Sequence, residues 1–309
     1  MNKKAEFDFV WLFAIIAGAA ILILAVYGAS KIGNTQRYEG DTEAGKKISI
    51  LINPLQAGYA EGSFGKISFK QETKINNFCS DIKFGINEIS VSTQSDVGEK
   101  WQTAGAATSI YNKYIFSNNQ EQGKEFYVFS KPFYFPYKVS NLVFLNSKKY
   151  CFKNIPEEFE SLINLNAGNI EIENCSSDSI VVCFSGVCNI RIYGTCLNRC
   201  SSIYEEGYVE KNGVRFDYAG NLIFAAVFSD KEVYECNVKR LMYRTSEIAD
   251  ILLKKASLMD GRGCDTNLET DLILLKAIVS NASSEDLASI NQIIKDMERK
   301  NENELCGLW

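Results

Sequence analysis

The sequence predicts an α+β fold carried on a single N-terminal transmembrane helix. Three observations lead there. Residues Phe9–Ala29 are 21 consecutive positions without a charged side chain. Over 62–229, short β-type runs are separated by Gly, Asn, Ser and Pro, with one helical interruption. From Ser229 onward the apolar period lengthens from two to 3.6. The expected organisation is a cytoplasmic tail over 1–8, the span over 9–30, and a linker with a short helix over 31–61. A β-rich extracytoplasmic domain follows over 62–229, with one or two short helices, and a three-helix bundle over 230–309.

At about 1.5 Å per residue the uncharged run makes a helix of about 31 Å, the thickness of a bilayer's hydrocarbon core. Trp11 and Tyr27 stand near its two ends, where amphipathic rings settle at the headgroup level, and Asp8 and Lys31 bound it. A cleaved secretory signal has an apolar region of about 7–15 residues, shorter than this one, which favours a permanent anchor. Ala14/Gly18 and Ala25/Ala29 are spaced for close helix–helix approach, though small residues are also ordinary in a span. Basic residues do not orient the helix, since Lys3 and Lys4 precede it while Lys31, Arg37, Lys46 and Lys47 follow.

The cysteines supply the orientation. There are ten, all beyond the span, with Cys175, Cys183, Cys188, Cys196 and Cys200 clustered and Cys79, Cys151, Cys236, Cys264 and Cys306 dispersed. Such a set in an anchored chain reads as disulfides in an oxidising compartment, which places the C-terminal bulk outside the cytoplasm. Zinc is the competing use of thiolates, but no CxxC occurs and the chain has no histidine. That absence also removes Ser-His-Asp and Cys-His nucleophilic machinery. Two N-x-S sequons, Asn174-Cys175-Ser176 and Asn281-Ala282-Ser283, suit an exported surface. A net charge of −5 argues against nucleic-acid partners. With no phosphate-binding or dinucleotide fingerprint, no cofactor is expected.

After the span, KIGNTQRYEGD over 31–41 reads as a polar linker, with Thr42 capping a short helix. Ile48, Leu51, Ile52 and Leu55 would form its apolar face and Pro54 would limit it. Strand candidates are Lys66–Phe69, Glu88–Ser92, Glu125–Phe129 and Leu142–Leu145. Pro156 suits a helix start, that helix ending before Gly168, and Ile170 and Ile172 alternate with glutamates as a half-buried strand. Asn212-Gly213 predicts a tight hairpin between Tyr208–Lys211 and Val214–Tyr218. Ser185-Gly186 predicts another between Ile180–Phe184 and Val187–Tyr193, which sets Cys183 opposite Cys188 as a disulfide candidate. Ser229/Glu232, Thr266/Glu269 and Ser283/Asp286 each fit a capping pattern and open the three C-terminal helices. In an up-down-up bundle Cys264 and Cys306 reach the same end, so they form the second candidate bridge.

No catalytic residue or metal ligand emerges. Seven aromatic residues crowd Phe126–Tyr137; they suit strand core, while an exposed platform of Phe133, Tyr134 and Tyr137 would bind a glycan or partner. Ser63-Phe64-Gly65-Lys66 matches SxxK but lacks the companion motifs of the serine–lysine enzymes. Glu157, Glu158 and Glu160 read as a solvated helix face.

Lys3-Lys4-Ala5-Glu6 ahead of the apolar stretch resembles the archaeal type IV pilin-type (class III) signal. The resemblance implies peptidase cleavage on the cytoplasmic side near Ala5, with the helix kept as an anchor or packed into a filament core. The glutamate that typical pilins carry at the mature fifth position is here Phe9 or Val10, with Asp8 the nearest acid. SKKYCF and YECNVKRLM also resemble membrane-anchored surface proteins of archaeal genomes. The resulting expectation is a non-enzymatic, single-pass cell-membrane protein that is structural, adhesive or pilus-like. Its partners would be the lipid bilayer and other envelope or filament proteins. The alternative is a membrane-tethered ligand- or glycan-binding module.

Overall fold

The computed structural model describes residues 9–57, 64–95, 99–156, 159, 163, 168–195, 205–303 and 306–309. It begins with α1 (Phe9–Ala57), one uninterrupted helix of 49 residues. The expected linker over 31–41 is helical, and Thr42 does not cap a new helix. Its hydroxyl donates to the Tyr38 carbonyl at 2.8 Å, as Thr35 does to Lys31 at 3.1 Å, the back-bond of a hydroxyl inside a helix. Polar composition imitated a loop here. The helix continues through it into the exposed Lys47–Glu43 pair at 2.9 Å and the docking of its second half.

That half lies against a six-stranded sheet of β1 (Phe64–Ser80), β2 (Ile86–Thr93), β3 (Thr108–Tyr111), β4 (Tyr114–Phe116), β5 (Gln120–Tyr134) and β6 (Lys138–Asn146). The spatial order is β3-β2-β1-β5-β6-β4, antiparallel except for β4 beside β6. All four strand candidates fall inside longer strands. In β5 the burial pattern changes along the chain, from alternation at Gln120–Gly123 to continuous burial over Phe126–Ser130. There both faces are covered: Phe126 and Val128 join Ile48 of α1 in one core, while Phe129 joins a second, larger one.

A second sheet holds β7 (Tyr150–Lys153), β8 (Ile170–Ile172), β9 (Ile180–Cys183), β10 (Ile190–Thr195), β11 (Glu206–Lys211) and β12 (Val214–Ala219), in the order β12-β11-β10-β9-β7-β8. The Asn212-Gly213 turn has the positive φ angles that a two-residue hairpin needs, 53° and 73°, and pairs Lys211 with Val214. The hairpin expected around Ser185-Gly186 does not form. β9 and β10 are parallel, with Ile190 beside Val182, and the intervening residues double back so that Asn189 N reaches Val181 O at 3.0 Å. The loop's glycine matched a hairpin signal, but pairing with β7 on one side and β11 on the other set the strand directions. Of the helix after Pro156, Phe159 and Ile163 are helical and buried; Glu157, Glu158 and Glu160 lie outside the described residues, as does the 1–8 tail.

Four helices complete the body: α2 (Leu222–Phe228), α3 (Lys231–Asp260), α4 (Glu269–Val279) and α5 (Leu287–Asn303). α2 was not anticipated. LIFAAVF is apolar throughout and every residue is buried, so no period distinguished it from a strand. It ends at Ser229, and α3 begins one residue later than the predicted cap, behind Asp230. Thr266 does not cap α4, which starts behind Leu268. Ser283 and Asp286 do form a capping box, with Ser283 N donating to the Asp286 carboxylate at 2.8 Å.

The helices do not enclose a bundle core of their own. α3 packs along α4 and onto β1, β4 and β6, while α5 lies on β11 and β12. Leu241, Leu272 and Ile290 therefore share one continuous core with Phe144, Tyr150 and Phe216, and no packing boundary separates 229 from 230.

The seam between α3 and the first sheet is polar at its centre. Arg240 is fully buried, and no carboxylate pairs with it among the described residues. Its Nε donates to Phe84 O at 2.8 Å, Nη2 to Lys113 O at 2.8 Å, and Nη1 to Asn237 Oδ1 at 2.7 Å and to Asn87 Oδ1. Asn87 in turn donates to Asn77 at 3.0 Å, and Asn77 to Ile115 O and Ser117. Burial lowers the guanidinium's pKa to about 10, and the Tyr114 ring lies 4.8 Å away, facing the cation. The Cys79–Cys236 bridge joins β1 to α3 beside this network. Arg240→Ala removes the guanidinium donor from Phe84 O, Lys113 O and the buried Asn237 Oδ1, while Asn87 Oδ1 keeps only Ile115 N at 3.3 Å, so it should cost about 3 kcal/mol. Denaturant unfolding of the detergent-solubilised chain measures this; a loss under about 1 kcal/mol contradicts the role given to the network.

Candidate functional site

The feature most unlike an ordinary globular surface is α1 itself. Its first half contains one stretch long and apolar enough to cross a membrane, Trp11–Ala29, with mean hydropathy 2.5 and no residue buried. At the end of that stretch the Lys31 ammonium lies 5.9 Å from the Tyr27 ring. Twelve residues beyond the stretch, contact with the body begins. Asp41 is buried and accepts from Thr93 N at 3.2 Å and Thr93 Oγ1 at 3.3 Å. Desolvation raises the Asp41 carboxyl's pKa in spite of those bonds. Thr42 Oγ1 accepts from Ala106 N at 3.0 Å, and Ile48 is buried in the smaller core. The loop before β3 closes over the helix at Gly105, where a Cβ would fall 2.5 Å from Thr42 N.

Among the described residues four disulfides stitch the body. Cys183–Cys188 and Cys264–Cys306, the two candidate pairs, have Cα separations of 6.0 and 5.9 Å. The first closes the loop between two parallel strands rather than bridging an antiparallel pair. The second joins the residues after α3 to those after α5. Cys79–Cys236 and Cys151–Cys175 were not anticipated, and Cys196 and Cys200 lie outside the described residues.

The aromatic segment is not a platform. Phe133 is buried and stacked on Phe135 at 5.4 Å. Tyr137 is buried too, its hydroxyl donating to Thr245 O at 2.6 Å and its ring edge-on to Trp309. Tyr134 alone of the three is exposed, at 53%. The strand pleat turns alternate rings inward, so the density of aromatics reflects a two-sided strand. Lys66 of the SxxK match lies on β1, paired with Glu125 at 2.6 Å, and Ser63 is outside the described residues.

A cleft of about 400 Å³ opens between the two sheets, lined by Asn118, Gln120, Lys148, Tyr150, Lys211 and Asp230 among others. Lys211 ends β11 and reaches the C-terminus of α2, donating to Val227 O at 3.2 Å and to Ser229 O. Cations are favoured at that end of a helix. Burial lowers its pKa to about 8, against the attraction of Asp230 and Glu121. Glu121 is buried as well, accepting from Ser147 N at 2.9 Å and from Asn118, with its pKa raised by desolvation. Asp230 accepts from Asn119 N at 2.8 Å. The buried charges of this region are thus tied to backbone and amide partners, and Lys148 is the exposed cation at the mouth. Among the described residues no group of three or more His, Cys, Asp or Glu is placed to hold a metal ion.

Neither Arg240 nor Lys211 was singled out beforehand. The spacing of 233, 237, 240 and 244 along α3 offered a signal, because it puts an asparagine and an arginine on the stripe that Val233 begins. No family model, curated protein or solved structure matches this chain.

Lys211 carries a pH signature. Its folded pKa of about 8 lies below the ordinary 10.5, so between those values the unfolded chain binds more protons and stability rises with pH. Wild type should therefore gain stability relative to Lys211→Met as pH increases through this window, other titrations cancelling in the difference. A difference that stays flat from pH 7 to 10.5 contradicts the buried, charged assignment.

Proposed function

We propose that this chain is a single-pass, membrane-anchored protein that holds a disulfide-bonded α+β body outside the cytoplasm on a rigid helical stem, in a structural or adhesive role in the envelope. The observation that carries the reading is the division of α1: one hydrogen-bonded helix has an apolar stretch, Trp11–Ala29, of which no residue is buried, and a later part that is built into the body. An exposed 19-residue stretch of that hydropathy is costly in water and fits lipid. The disulfides support the outward orientation, since such bonds persist in oxidising compartments.

The stem also supports an assembly role. Docking begins at Asp41, so about 18 Å of helix separates the end of the apolar stretch from the body. A body held at a set height and angle is suited to side-by-side packing with other envelope or filament proteins. Binding of a glycan through the aromatic segment loses its support, because Phe133 and Tyr137 are core residues.

Carbonate washing of membranes from cells that make the protein should leave the chain in the pellet, and detergent should release it. On intact cells, a membrane-impermeant amine reagent should label body lysines such as Lys148. Release by carbonate contradicts the anchor; labelling only after lysis contradicts the orientation. Recovery in sheared surface filaments would favour assembly over a solitary anchored role.

A further inference from the structure

The two sequons stand in different surroundings. Asn174 is exposed, but its motif is pinned. Its backbone N donates to Ile172 O at 2.7 Å, and Cys175 is bonded to Cys151. Ser176 donates from both N and Oγ to Glu171, at 2.8 and 2.7 Å, and its hydroxyl also meets Ser179. A transferase needs the sequon drawn out as a short extended segment, and here the disulfide at its middle residue holds it in place.

Asn281 lies in the turn between α4 and α5, exposed, with a side chain that makes no hydrogen bond among the described residues. Ala282 is held only by a 3.3 Å bond from its N to Val279 O and by burial of its methyl group. Ser283 is already extended, at φ −106° and ψ −177°, and both its N and its hydroxyl donate to the exposed Asp286 carboxylate, at 2.8 and 3.0 Å. No disulfide and no strand crosses this motif. Its residue between Asn and Ser is not proline, as the acceptor pattern requires.

We propose that Asn281 is an N-glycosylation site of the extracytoplasmic body, with a polyprenyl-phosphate-linked oligosaccharide as donor. In the transfer a bond forms between Asn281 Nδ2 and the anomeric carbon of the sugar. The bond from that carbon to the phosphate oxygen breaks, the polyprenyl phosphate leaves with the electron pair, and one amide proton passes to a base of the transferase. This assignment rests on the outward orientation proposed above, because such donors are used on the outer face of a membrane.

The test is peptide mass spectrometry of the full chain, extracted in detergent from membranes of the cells that make it. The expected result is one oligosaccharide mass on the Asn281 peptide, lost in Asn281→Gln and retained in Asn174→Gln. Should Asn281→Gln fail to accumulate, Ser283→Ala should lose the mass and Ser283→Thr should keep it. An unmodified Asn281 peptide, or a sugar on Asn174 alone, overturns the proposal when the body is labelled by an impermeant reagent on intact cells. If that reagent does not reach the body, the orientation itself fails and the site falls with it.

Discussion

The structure depends on a single continuous hydrogen-bond ladder, which in the anchored role proposed above serves in two solvents. A helix satisfies its own backbone, so the same ladder can cross hydrocarbon and then continue into water without a break. What changes along α1 is only the covering of its side chains: an apolar run with nothing packed on it, then a stretch carrying Asp41, Thr42 and Ile48 that meets the sheet. A flexible joint between the two would let the body tumble. With the ladder intact, the direction of the span and the orientation of the sheet are one property.

The body holds that orientation through polar specificity as much as through apolar burial. Hydrophobic packing alone tolerates sliding of a helix along a sheet. Arg240 does not, because its guanidinium must meet Phe84 O, Lys113 O and two asparagine carbonyls at once. A buried cation with only neutral acceptors is costly to desolvate, which is consistent with its lowered pKa, and it contributes register rather than net attraction. The adjacent Cys79–Cys236 link closes a loop of 157 residues and so restricts the unfolded chain where the network restricts the folded one.

Legibility followed the range of the interaction. The apolar run, the Asn212-Gly213 turn and the Ser283/Asp286 box are set by a few neighbouring residues, and each was readable from them. So was the strand Glu88–Ser92, which lies within β2, where the structure buries Asn87, Ile89 and Val91 in alternation. The parallel pairing of β7 through β10 was not readable, because strands of three to six residues take their direction from neighbours distant in sequence. The same holds for α2, and for the helices taken as a separate bundle, whose apolar faces are satisfied equally well by a sheet. At 31–41, composition pointed to a loop, and tertiary docking beyond it prevailed. At the aromatic segment both a core and a surface were open; the pleat at the end of β5 turns Phe133 inward and Tyr134 outward, and the bend after it returns Tyr137 to the core.

The central claim is that the stem passes unbroken from the apolar stretch into the docked half. Distance measurement by pulsed electron spin resonance, on the chain in lipid nanodiscs with labels replacing Tyr27 and Lys46, tests it most directly. Both positions are exposed, and nineteen helical residues separate their backbones by about 28 Å. A single narrow distribution near that value is the predicted result. A broad distribution, or one centred well below it, would mean a hinge between span and body and would contradict the account.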